Sequence, residues 1–225
     1  MKRIFTLVVI LCLCISGVAV AEGKLKATEK VLYVIEGDNN AYFFCKVENV
    51  GDAPIGTDSG DLVAFTEDDE ILFTESYVSS QPSSVMLDPG EYVYVYEYII
   101  ESALKEYAVA DYKFSVGSRK SGTPIACIET DASIDLQGAG TYSNYIIVTL
   151  KNESDKMLEE PYVVVALYDV QGNLLYVGYD SMSNISIHPN STITLSISVD
   201  NKLMEHYEKN GLVPDNVNAL VYYEE

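Results

Sequence analysis

The 225-residue sequence is short of the residues from which metal centres and nucleophilic sites are usually built, with two histidines and four cysteines. His188 and His206 have no second histidine or cysteine at ligand spacing, and no serine stands in a recognisable nucleophile elbow. No zinc site, cofactor or catalytic constellation is therefore expected. Positive charge is scarce as well: 14 Lys and Arg face 34 Asp and Glu, a formal charge of −20. A field of that sign repels phosphate backbones and anionic lipid, which argues against nucleic-acid binding and polybasic membrane attachment. Beyond the first 21 residues there is no apolar run long enough for a transmembrane segment.

Those first residues have a composition of their own. Lys2 and Arg3 precede an apolar run over 4–14, and small residues close the stretch at Ala19, Val20 and Ala21. This is the pattern of a secretory leader, residues 1–21, cleaved after Ala21. A lipid anchor on Cys12 or Cys14 would need a small residue before the cysteine, whereas Leu11 and Leu13 stand there. Without the leader the chain keeps 12 basic and 34 acidic side chains, a formal charge of −22. It also keeps only Cys45 and Cys127, too few for a disulfide framework, so an apolar core must hold the fold. Residues 220–225 carry no sorting signal or apolar tail, and the expectation is a secreted, extracellular product.

What is present is an internal repeat. Residues 47–52 align with 150–155 at an offset of 103, and the same offset carries Tyr42 onto Tyr145, Phe65 onto Tyr168 and 71–73 onto 174–176. After a three-residue adjustment, 87–90 meets 187–190 and Leu104 and Tyr107 meet Met204 and Tyr207, at an offset of 100. Each copy reads as short β-branched and aromatic strands parted by polar turns, the pattern of a sandwich. Segments 102–107 and 202–209 read as one short helix per copy, ahead of the last strand. The expected fold is all-β: two tandem immunoglobulin-like β-sandwich domains over 22–118 and 119–225. Residues 117–124, polar with glycine, serine and a closing proline, read as the linker.

In the second copy 148–155, followed by Val165-Ala166-Leu167-Tyr168-Asp169 and Gly172, resembles the FxLYD-type domain of bacterial exported proteins. The likeness extends to Pro189, where that family has a turn before a strand. It departs at Val165, where the family has phenylalanine, and the first copy is more divergent, with Ala64-Phe65-Thr66 in the matching place. The resemblance implies an immunoglobulin-like sandwich outside a bacterial cell and brings no catalytic residues with it.

The repeat also sorts strand faces. In 192–198 alternation turns Ile193, Leu195 and Ile197 inward and leaves hydroxyl residues outside. The first copy reads Tyr92-Val93-Tyr94-Val95-Tyr96-Glu97-Tyr98 at the same place, so Tyr92, Tyr94, Tyr96 and Tyr98 line the outer face of one strand. Such a row can hold a protein or glycan partner, pack on neighbouring surface side chains, or form a contact between the two domains. The acidic run containing Asp58, Asp61, Asp68 and Asp69 is a calcium candidate, set against solvated loop ends without EF-hand spacing. Cys45 is expected in a core, unbridged to Cys127. Three Asn-x-Ser/Thr patterns begin at Asn152, Asn184 and Asn190. The functional expectation is an exported, non-catalytic binding or structural module presenting the tyrosine face. A secreted carbohydrate-active enzyme and a passive spacer or assembly subunit are the alternatives.

Overall fold

A computed structural model describes residues 21–141 and 143–223, so nearly all of the leader assigned to 1–21 lies outside the described residues. Among the described residues, β-branched and aromatic residues in period two form 17 strands, as such residues do where one face of a pleat is buried. The first sandwich contains β1 (Leu25–Val34), β2 (Asn40–Asn49), β3 (Ile55–Phe65), β4 (Ile71–Val78), β5 (Ser80–Gln81), β6 (Met86–Leu87), β7 (Tyr92–Ile100) and β8 (Asp111–Arg119). The second contains β9 (Ala126–Glu129), β10 (Asp131–Leu136), β11 (Asn144–Lys151), β12 (Leu158–Glu159), β13 (Tyr162–Asp169), β14 (Leu174–Ser181), β15 (Ser186–Ile187), β16 (Thr192–Ser198), helix α1 (Asn201–Asn210) and β17 (Pro214–Tyr223).

One sheet of the first sandwich runs β1-β2-β7-β5, and the other places β3 between β4 and β8, with β6 on its first residues. The second sandwich repeats the plan as β10-β11-β16 and β14-β13-β17-β9, with β12 and β15 pairing as β3 and β6 do. Register repeats too. Tyr42 opposes Tyr98 and Cys45 opposes Val95 in one copy, while Tyr145 opposes Ser198 and Val148 opposes Leu195 in the other. Val93 and Ile193 consequently point to equivalent sides, each opposite a buried residue of the neighbouring strand, Val47 and Leu150.

The asparagine shared by the two copies explains why its turn repeats. Asn49 is fully buried; its amide donates to the carbonyls of Ala53 and Leu87, both at 2.9 Å, and its oxygen accepts from the N–H groups of Gly51 and Lys24. Asn152 makes the same bridge, donating to Lys156 and Ile187 at 2.8 Å and accepting from Ser154. Each side chain thus stitches the turn after one strand to the segment entering β7 or β16, with its own amide N–H groups and oxygen all engaged. That burial also withdraws Asn152 from glycosylation in the folded chain, while Asn184 and Asn190 stay exposed.

Two expectations shift. The helices differ in kind: α1 is capped by the Asp200 side chain and ended by left-handed Gly211 (φ 67°), whereas the first copy has a single 3₁₀ turn over Ser102–Lys105. Its C-cap, Glu106, is right-handed, so the first copy lacks the glycine terminator that closes a regular helix end. The linker is also shorter than composition implies. β8 pairs with β3 through Arg119, and Thr123 is bound to the first sandwich by hydrogen bonds with Ser84 and Met86. Gly117 is there for contact: a Cβ would stand 1.9 Å from the Ser59 carbonyl oxygen, where the bulged β3 comes close.

Candidate functional site: the tyrosine face and the seam

Alternation places Tyr92, Tyr94, Tyr96 and Tyr98 on the outer face of β7, opposite Glu48, Lys46, Phe44 and Tyr42 of β2. Tyr33 of β1 extends this face beside Tyr42. The face is aromatic, and the second sandwich covers it with the outer side of β14-β13-β17. Tyr94 is 0% exposed, and its hydroxyl lies 2.8 Å from that of Tyr168. The Asn218 amide donates to the Tyr92 hydroxyl at 2.9 Å and to that of Tyr94 at 3.3 Å. Tyr176 meets Phe44 edge-on with ring centres 5.4 Å apart, and Tyr179 meets Tyr96 at 5.8 Å. Burial lifts the Tyr94 and Tyr168 phenols well above their ordinary range, so both stay neutral donors.

Helix α1 closes one end of this seam. Tyr207 and His206 pack on Tyr33, the Tyr42 hydroxyl donates to Asp200 at 2.7 Å, and Lys202 and Lys209 pair with Asp38 and Glu36. The row of tyrosines is therefore a contact between the two sandwiches. Tyr92 and Tyr96 are half-buried, Tyr94 is sealed, and Tyr98 alone of the four is classed as exposed, at 37%. Of the three uses left open for Tyr92, Tyr94, Tyr96 and Tyr98, the geometry is that of the contact between the domains, and the row is not presented whole to a partner. An aromatic surface of this size gains more from a complementary apolar sheet in the same chain than from water.

The remaining candidates separate. Asp58 and Asp61 sit on β3, while Asp68 and Asp69 belong to the β3–β4 turn, where Asp69 takes the left-handed position (φ 60°). Among the described residues no group of three or more His, Cys, Asp or Glu is placed to hold a metal ion. Cys45 is buried, its thiol pushed up to about 12 by that burial, and both it and Cys127 are free. Polar side chains gather where the seam opens to solvent: Glu29, Lys46, Tyr168 and Asn218 line a cleft of about 590 Å³. Glu29 pairs with Lys46 at 3.6 Å, and its second oxygen is buried without a hydrogen-bond partner.

One carboxylate stands apart. Glu97 lies on the inner face of β7, and burial together with the nearby Glu75 raises its pKa. Between the ordinary and raised values the folded chain binds more protons than the unfolded one, so this group adds stability as pH falls through that window. Glu97→Gln is expected to be more stable than the parent near neutrality, with the difference closing as pH drops to about 4.5. Urea unfolding across that range reads the effect, and a gap independent of pH would exclude it.

Sequence reasoning named a contact between the domains as one use of the tyrosine face but not the strand that lies opposite it, although a signal was present. Residues 162–168 are apolar or aromatic throughout, the pattern of a strand covered on both sides. In β13, Val163, Val165 and Leu167 enter the second core, while Val164, Ala166 and Tyr168 lie on the seam side. No protein-family model matches the chain, and no curated protein matches it. Among solved structures, red sea bream transglutaminase is similar over 79% of this chain, at 10% identity and a TM-score of 0.25. The chain spans 27% of that protein's length.

Proposed function

We propose that the protein is an exported, non-catalytic module that works by contact, its two sandwiches held at a fixed angle so that their edges and loops face a partner as one surface. The observation that carries this reading is Tyr94, wholly buried between the sandwiches with its hydroxyl 2.8 Å from that of Tyr168. A flexible tether of independent domains has no use for such a seam. The leader-like start and the acidic composition support export and solubility. Tyr168 is also the tyrosine of the FxLYD-like stretch, which supports placing the second copy near that group of bacterial exported domains. Among the described residues no helix is long and apolar enough to cross a membrane.

Residual dipolar couplings test the fixed angle. Amides of both sandwiches are expected to fit a single alignment tensor. Two tensors of different orientation or magnitude would show domains moving independently and remove the basis for the reading.

A further inference from the structure

The repeat holds an internal comparison at the edge of each sheet. In the first sandwich the chain leaves β4 at Val78, crosses to the opposite sheet and pairs with β7, Ser80 opposite Val95 and Gln81 opposite Tyr94. The inward side chains of β7 are sealed there, Val93 at 0% and Val95 at 2% exposure. In the second sandwich the matching segment never crosses. β14 stays paired with β13 out to Ser181, and β16 ends its sheet with no strand beside it among the described residues. Its inward Ile193 and Leu195 are only partly buried. The Tyr176 hydroxyl donates to the Ser198 carbonyl at 3.0 Å, and over 192–197 the slot that two residues fill in one copy is open in the other.

This edge also lacks the features that usually guard one. Thr192–Ser198 contains no charge and no proline, and its register against β11 is unbroken by a bulge. The other edge of the same sheet, β10, carries Asp131 and Asp135, and edge strands β1, β4 and β14 are each interrupted by a register shift. Beside β16 runs a groove of about 460 Å³, lined by Ser196, Ser198, Tyr96, Tyr176, Tyr179 and Asp180. Tyr179 is 41% exposed and offers ring surface to whatever lies there.

We propose that β16 is a strand-addition site, taking an extended peptide segment of a partner protein. The segment pairs its backbone with the free edge, turns small apolar side chains over Ile193 and Leu195, and sets a basic side chain toward Asp180. Main-chain hydrogen bonds would supply affinity and the tyrosine-lined groove selectivity. A basic or neutral partner fits better than a second copy, because two chains of formal charge −20 repel. The proposal rests on the contact-module reading and gives the partner's chemistry, and the dipolar-coupling experiment judges that reading separately.

The test uses a capped peptide of about eight residues, alternating threonine and valine with a lysine at each end. Two N-methylated forms carry methyl groups on one or the other alternate set of amides. Binding by fluorescence anisotropy is expected for the parent peptide, with one methylated form at least about tenfold weaker and the other unchanged, since only one set of N–H groups faces the edge. Amide exchange should slow across Thr192–Ser198, and Asp180→Asn, at an exposed position of the groove, should weaken binding several-fold with the fold intact. No binding at millimolar peptide, equal binding of both methylated forms, or protection elsewhere would overturn the proposal. So would a concentration-dependent dimer protected at β16 without peptide, which would make a second copy the occupant.

Discussion

Tyr94→Ala is expected to lower unfolding stability by about 3–5 kcal/mol and to split one cooperative transition into two. The ring is fully buried between the sandwiches, so its removal leaves a cavity flanked by Tyr92 and Tyr168 instead of a site that water can fill cheaply. It also strands the Tyr168 hydroxyl and weakens the hold of Asn218, which still reaches Tyr92. Tyr94→Phe separates the two effects: it keeps the ring and should cost only about 1–2 kcal/mol. Tyr98→Ala, at the more exposed end of the row where its ring still meets Tyr42 at 5.0 Å, should cost about 1 kcal/mol. With no tryptophan present, tyrosine emission and far-UV dichroism in a urea titration report both halves. If Tyr94→Ala unfolds in one transition of unchanged midpoint, the seam does not couple the domains.

Asn152→Ala is expected to cost about 3 kcal/mol. The lost amide leaves the Lys156 and Ile187 carbonyls without their donor, and the lost oxygen leaves the Ser154 N–H without its acceptor. A buried polar group stripped of its partner costs about 1–3 kcal/mol, and three such groups do not all find water. Asn152→Asp keeps the shape and makes a sharper test. Its carboxylate cannot donate to either carbonyl and would be ionised in a nearly sealed position, so the loss at neutral pH should exceed that of alanine. Burial raises such a carboxyl in the folded state, so stability should recover as the pH falls and the acid protonates. Thermal melts of both variants at pH values spanning about 4 to 8 measure this, and an aspartate variant as stable as the parent would mean the bridge is dispensable.

The fold could be read from the chain because its signals are local and occur twice. Alternation in 192–198 identifies the inward residues of β16 and, through the repeat, those of β7, and the asparagine turn marks the same place in each copy. The site was less legible. Alternation shows which way Tyr94 points, but not what lies opposite, since a sheet's outer face looks the same whether water or another sheet covers it. Glycine misled for a related reason. Gly117 looks like slack in a linker, yet it permits a close backbone approach in β8 that becomes visible only once β3 is beside it. The absence of a crossing segment beside β16 is equally silent, because Asp180 and Ser181 suit either sheet by composition.

The seam joins unlike faces of like units, the outer side of β1-β2-β7 in one copy against that of β14-β13-β17 in the next. Such head-to-tail joins can propagate, each added unit presenting the face that receives another. Here the second copy presents Thr192, Thr194, Ser196 and Ser198 where the first has its tyrosines. With four hydroxyl side chains in place of four tyrosines, β16 gives a third unit far less ring surface, Tyr145 of β11 being the aromatic residue opposite Ser198, so the same join would be weaker on the second copy than on the first.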